Sequence, residues 1–460
     1  MKYKDIIKVA ALSSYILGLD IGSIDIKAVI AKSDTNGLSI CGFGLAKTTG
    51  VKKGVITNIE QASNCIRKAV FDATNTAGRH YDKVIVSISG AYTKSVKSQG
   101  VITVPDNEIS INEIRRAMEV AKDTANVPNN YVKLQILPYK FKVDEQDGIE
   151  DPLGMSGMRL EVSTHVIIVP ENSIKNLTKA VEMAGINIDN IVLSGYASAI
   201  ATLNEDEKEL GVALIDMGGA VCDIVVHLGN SLMYNDILPF GSANITSDLS
   251  SGIHTSLDYA EKIKLNFDDL SGNGQSDINL PELGENGQTR NVSLEVITQI
   301  LFSRIQEMLV EIYKKISASS YENKIGAGIV LTGGMAKLPD VKELAREIFS
   351  GFSIRVAKPR NLEGLHEISQ DLSNSCVIGL CLYGSGNFTP YEIDSNGDLK
   401  FKGDNKILFG NDVENELNGA LNDSKSDENT KENSKLSLPD KQDKPNMVKR
   451  IWNYIKNLYC

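Results

Sequence analysis

Residues 17–31 read LGLDIGSIDIKAVIA, and residues 214–226 read LIDMGGAVCDIVV. Each is an apolar run of strand length, an Asp-x-Gly-small turn and a second apolar run, which is the pattern of a tight β-hairpin. Asp20 aligns with Asp216 and Gly22 with Gly218, so the same unit occurs once in each half of the chain. A repeated unit of this kind predicts two related halves that face each other.

The chemistry of these turns favours phosphate. Gly22, Gly218 and Gly219 tolerate positive φ and let bare backbone N–H groups approach an anion. Ser23 adds a hydroxyl and an amide. Asp20 and Asp216 fall at strand ends, where two carboxylates can hold a hydrated Mg²⁺ whose other ligands are phosphate oxygens and water. A third segment points the same way. Residues 327–349, AGIVLTGGMAKLPDVKELAREIF, read as a buried strand, a Gly333–Gly334 turn running into Met335, and an amphipathic helix whose start favours an anion. Double glycine after a strand lets a nucleotide lie against backbone. In LDYAEKIK (257–264), Glu261 and Lys264 share one helix face; they either reach a ribose or purine edge or form an ordinary i,i+3 ion pair.

The rest of the chain up to about residue 401 alternates strands and helices, which predicts an α/β architecture. Residues 59–78 predict a helix ending at Gly78. Residues 173–185 predict another, with Ser173 as its cap. KVIVSISG (83–90) and VSTHVIIVP (162–170) are apolar runs of strand length, and residues 211–241 hold three short strands in succession.

Composition narrows the functional classes. The formal net charge of −11 over 460 residues argues against a nucleic-acid partner, which needs a basic face. The 6 cysteines form no CxxC pair and the 5 histidines show no ligand spacing, so a reduced chain without a structural metal is expected. No run reaches the ~18 apolar residues of a membrane span. The opening stretch, residues 1–14, carries Asp5 and Lys8 within its apolar part and reads as an extension, not a signal peptide.

After Phe401 the composition changes. Residues 411–446 are mainly Asn, Asp, Glu, Ser and Lys, and cannot bury enough apolar surface to offset their ordering entropy, so 401–446 is expected to be a flexible linker. The reach of residues 411–446 averages roughly 30–36 Å by coil statistics. The last stretch, 447–460, reads MVKRIWNYIKNLYC. On a helix, Met447, Val448, Ile451, Trp452, Ile455, Leu458 and Tyr459 share one face, while Lys449, Arg450 and Lys456 lie with the asparagines on the other. A protein groove accepts the apolar face alone. A bilayer interface accepts both faces, with Trp452 and Tyr454 at the headgroup boundary and the cations against anionic lipid. The long polar linker favours the membrane.

The order DxGS, DxGG, LTGG resembles the actin/Hsp70/sugar-kinase superfamily. Residues 50–62 (GVKKGVITNIEQA), 151–167 (DPLGMSGMRLEVSTHVI), 195–219 and 239–264 resemble, within it, the FtsA family of bacterial cell-division proteins. The similarity covers about residues 15–390 and the last stretch. It implies an actin-like two-lobed fold that clamps ATP and Mg²⁺, with an inserted subdomain 1C (SHS2) at 83–165. Subdomain 1A would comprise 15–82, 166–205 and 370–400; 2A would comprise 206–245 and 321–369; 2B would be 246–320. It also implies a filament-forming adaptor at the division site, on the cytoplasmic side of the inner membrane. Such an adaptor ties the FtsZ C-terminal tail to the bilayer through residues 447–460 and recruits later division proteins through 1C.

Three places depart from the family pattern. The second phosphate loop usually reads DxGGGTxD, but here Ala220 and Val221 replace a glycine and the threonine. The helix before it normally carries a Glu or Gln that orients water; the matching position is Gly195, with no carboxylate expected nearby, so slow or absent turnover is expected and no catalytic residue is assigned. The acidic-Pro-Arg step that opens a helix of 2B is replaced by Thr298-Gln299-Ile300, so FtsZ contacts do not carry over residue by residue. Two rival readings remain: an ATP-binding scaffold of another membrane machine, of the pilus-assembly type, and a sugar-kinase-like phosphotransferase. The latter needs a catalytic aspartate facing a sugar pocket, and no segment demands one.

Overall fold

The computed structural model describes residues 13–35, 37–229, 231–267, 270, 276–281 and 289–401. The expected linker from 402 onward, the amphipathic stretch 447–460 and most of the extension 1–14 lie outside the described residues.

Two mixed sheets form the two lobes. In the first, the strands run in the spatial order Asn190–Leu193, Lys83–Ile88, Ser14–Ile21, Asp25–Asp34, Gly37–Lys47, Glu363–Gly364. In the second they run Ser231–Leu238, Cys222–Leu228, Val212–Met217, Gly328–Thr332, Ile354–Val356. The quoted repeat is an antiparallel hairpin in each sheet, followed outward by a further antiparallel strand and flanked on its other side by a parallel one. The registers match as well: Asp20 stands opposite Lys27, and Asp216 opposite Asp223.

The strands of both hairpins are apolar on both faces because helices cover them. The buried helix Ser375–Gly384 lies so close to the first sheet that a Cβ on Gly18 would stand 2.7 Å from the Val377 carbonyl oxygen. Helix Ile59–Ala77 begins where Asn58 Oδ1 accepts from the Gln61 N–H at 3.0 Å and stops at Gly78, whose φ is +61°, as its sequence predicts.

A third sheet, in the order Lys94–Thr103, Arg159–Pro170, Tyr131–Val143, Gln146–Ile149, carries helix Ile111–Thr124 and has its own core around Ile114, Met118, Phe141 and Leu160. This is the inserted domain, but its limits differ from the expected 83–165. Strand Lys83–Ile88 pairs within the first lobe, so the insert begins after it, and strand Arg159–Pro170 stays in the insert's sheet beyond residue 165.

Three local expectations are also corrected. Helix Glu171–Met183 starts before Ser173, which therefore does not cap it. After Gly333 the chain makes a single 3₁₀ turn, Gly334–Lys337, and the next helix waits until Val341, since Pro339 interrupts the backbone hydrogen-bonding pattern. Thr298, Gln299 and Ile300 lie inside the long helix Leu294–Ala318, which opens at its Ser293 cap.

Candidate nucleotide-binding cleft

The two hairpin turns point at each other across the gap between the lobes, and the glycines permit this closeness. A Cβ on Gly219 would lie 2.1 Å from Ile24 Cγ1 of the opposite lobe, while one on Gly22 would lie 2.5 Å from the Asp25 carbonyl oxygen of its own tight turn. Gly333 closes the third side at φ +89°, where a Cβ would come within 2.3 Å of Asp216 Oδ1. The result is a cleft of about 300 Å³.

All eleven residues singled out from sequence line this one cleft: Asp20, Gly22, Ser23, Asp216, Gly218, Gly219, Glu261, Lys264, Gly333, Gly334 and Met335. They come from four separate stretches of the chain. The 3₁₀ turn, not a helix start, brings Gly334 and Met335 to its wall.

Lys264 forms the i,i+3 ion pair with Glu261, the second of the two alternatives, but it does so buried and not on a solvated helix face. Its side chain is 4% exposed, and its ammonium donates to Glu261 Oε2 (2.8 Å), Thr246 Oγ1 (3.0 Å) and the Ser242 carbonyl (3.3 Å). Its three protons are taken, so it anchors Glu261 and has none left for a ribose. Burial works against the Glu261 carboxylate, but Lys264 and the Thr246 hydroxyl, which donates to it at 2.5 Å, outweigh that and hold it below the ordinary carboxylate range.

The floor of the cleft concentrates charge. Asp20 Oδ1 accepts from the Ser87 hydroxyl at 2.8 Å, Asp216 Oδ2 from Ser198 at 2.5 Å, and Asp223 Oδ1 from Ser89 at 3.1 Å. Burial pushes Asp216 up to about 6, with Ser198 opposing and Asp20 adding to the rise. Burial likewise pushes Asp223 up to about 8, with Asp216 contributing. Lys27, buried in the same floor, donates to the Ser373 carbonyl; desolvation lowers its pKa while Asp20 and Asp371 pull it back. Asp20 and Asp216 thus both act on one buried ammonium, and Asp223 stands beside Asp216, an arrangement that a divalent cation would neutralise. Among the described residues, no group of three or more His, Cys, Asp or Glu is placed to hold a metal unaided.

Sequence reasoning missed Lys27, Ser89 and Asp223, all of which line the cleft. The signal for Lys27 and Asp223 was the strand period, since each stands directly across its hairpin from an assigned aspartate. Gly195 is corrected on the same ground. A Cβ there would meet Asp223 Cβ at 3.1 Å and Val225 Cγ1 at 3.0 Å, so a carboxylate does stand beside it, supplied by the strand and not the helix.

The comparisons with known proteins agree with this architecture. A family model described as "SHS2 domain inserted in FTSA" matches residues 90–168, and one described as "Cell division protein FtsA" matches 213–379. The chain is 38% identical over 418 residues to the cell division protein FtsA of Helicobacter pylori, covering 84% of this chain and 85% of that one. It is 34% identical to that of Pseudomonas aeruginosa, covering 80% and 89%. Among solved structures, the PilM–PilN type IV pilus biogenesis complex superposes with a TM-score of 0.56 at 15% identity, over 80% of this chain and 98% of that one, which is a likeness of fold alone. The two-lobed mixed α/β architecture with its inserted domain is the actin-like fold.

Proposed function

The chain belongs to the FtsA family of cell-division proteins, and from that premise we propose that it is an ATP-binding adaptor. In this reading it polymerises and ties the FtsZ C-terminal tail to the inner face of the cytoplasmic membrane. The observation that carries the reading is the convergence of two equivalent Asp-x-Gly hairpins, the Gly333–Gly334 turn and Lys27 on a single interlobe cleft.

In that cleft Asp20 and Asp216 would hold Mg²⁺ together with phosphate oxygens. The backbone of Gly22, Ser23, Gly218 and Gly219 would face the phosphates, and the Lys27 ammonium would add positive charge beneath them. Gly333, Gly334 and Met335 would lie along the nucleoside, with Glu261, held by Lys264, at the ribose or purine edge. Bound Mg²⁺ supplies charge neutralisation of the polyphosphate. Gly195 offers no side chain to orient water, and Asp223, which burial tends to keep protonated, is a weak base in its place, so turnover is slow.

The membrane half of the reading rests on residues 447–460: Met447, Val448, Ile451, Trp452, Ile455, Leu458 and Tyr459 enter the interface while Lys449, Arg450 and Lys456 meet anionic headgroups. Among the described residues no helix is long and apolar enough to cross a membrane. The test is co-sedimentation with anionic liposomes in the presence of ATP, comparing the full chain with a truncation ending at Lys444. Pelleting of the full chain alone supports the tether. Equal behaviour of the two proteins removes it.

A further inference from the structure

Among the contacts between the lobes, one ties a short hairpin of the first lobe to an aromatic ring of the second. Strands Val51–Lys52 and Val55–Ile56 form a short hairpin whose two turn residues, Lys53 and Gly54, both have positive φ, +50° and +73°. That is the geometry of a type I′ turn, which favours Asn-Gly and in which a lysine at the first position is strained. The hairpin is nevertheless firmly seated. The Gly54 N–H donates to Ser23 Oγ of the first phosphate loop at 2.8 Å, and a Cβ on Gly54 would lie 3.0 Å from the Ser89 backbone. So placed, the Lys53 ammonium stands 5.6 Å from the centre of the Phe240 ring in the other lobe. Phe240 directly precedes Gly241, where a Cβ would be 2.6 Å from the Ala220 nitrogen, so its backbone rests on the second phosphate loop.

Strained backbone persists where its surroundings over-determine it. Here the surroundings fix a cation over an aromatic face beside the cleft, whose wall includes the adjoining Gly54. Ile24 against Gly219 and Ser89 against Asp223 also bridge the lobes, but both involve residues of the cleft lining itself.

We propose that Lys53 and Phe240 form an interlobe clasp that must open before a bound nucleotide leaves, so that it sets the residence time of the ligand. The proposal rests on the cleft being a nucleotide site. An exposed cation–π pair shifts an equilibrium by about two- to fivefold, which is the size of effect expected on the off-rate.

The experiment is stopped-flow displacement of a fluorescent N-methylanthraniloyl ATP from the full-length protein with Mg²⁺, for the wild type, Lys53→Asn, Phe240→Leu and the double variant. Lys53→Asn relieves the turn while removing the cation, so it separates a clasp from a merely stiff hairpin. The clasp predicts faster release in each single variant, by about two- to fivefold, and no further gain in the double. Release that is unchanged or slowed in Lys53→Asn overturns it, as do single effects that multiply in the double. If the wild type shows no saturable binding at all, the nucleotide reading itself fails, and the clasp with it.

Discussion

Lys27 and Asp223 occupy the same register position in the two lobes, each directly opposite an aspartate of its own hairpin, Asp20 or Asp216. The duplicated unit therefore carries an ammonium in one copy and a carboxyl in the other. Both side chains are buried in the floor of one cleft. The repeat is symmetric in backbone and asymmetric in charge.

That asymmetry makes Lys27 the counter-charge to the carboxyl groups around it. Lys27→Met keeps the apolar stem and deletes the ammonium, so phosphate affinity falls by tenfold or more, equivalent to about 1.4 kcal/mol or above. Titration with a fluorescent ATP analogue measures it. An unchanged Kd would show that Lys27 serves the fold and not the ligand.

Gly333 and Gly351 separate backbone strain from crowding. Both have positive φ, +89° and +97°, but a Cβ on Gly351 meets nothing within 4 Å, whereas one on Gly333 strikes Asp216 and the Met217 backbone. Gly351→Ala costs only the left-handed penalty, about 1–2 kcal/mol, and leaves ATP affinity alone. Gly333→Ala costs more and weakens ATP binding because Asp216 must move. Urea denaturation and ligand titration on the same samples check both halves.

The Lys264–Glu261 pair is a positioning device. Lys264→Met strands Glu261 and the Thr246 hydroxyl; since Glu261 is itself 39% exposed, the loss is about 1–2 kcal/mol and not the full cost of a buried pair. Adding Glu261→Gln recovers part of that loss. A double variant as unstable as the sum of its singles would rule the coupling out.

Glu392 predicts a pH dependence of stability. Its carboxylate accepts from Tyr383 (2.5 Å) and Tyr196 (2.8 Å), yet burial prevails and raises its pKa from 4.5 to about 7. The folded value lies above the unfolded one, so its contribution to stability is complete below about 4.5 and is lost as pH rises through about 7. Glu392→Gln removes that slope. Melting curves from pH 5 to 8 should show wild type and variant diverging toward higher pH, and parallel curves would contradict the assignment.

The fold and most of the cleft were legible because their signals are local. Asp-x-Gly turns between apolar runs, a strand ending in Gly333–Gly334, and the helix stop at Gly78 act within a few residues of themselves. What escaped depends on partners distant in sequence. Lys264 is fixed by Ser242 and Thr246, a full helix earlier, and the neighbour of Gly195 is Asp223 on another strand. The insert's start was misplaced because Lys83–Ile88 has the apolar run of any buried strand. Only its pairing with Ser14–Ile21 assigns it to the first lobe.

The central claim is that the interlobe cleft binds Mg–ATP through Asp20 and Asp216. Its most direct test is equilibrium titration of the full-length protein with a fluorescent ATP analogue, in Mg²⁺ and in EDTA, alongside Asp216→Asn. Saturable binding that weakens at least tenfold both in EDTA and in Asp216→Asn is the predicted result. Affinity unaffected by either, or no binding in Mg²⁺, would contradict it.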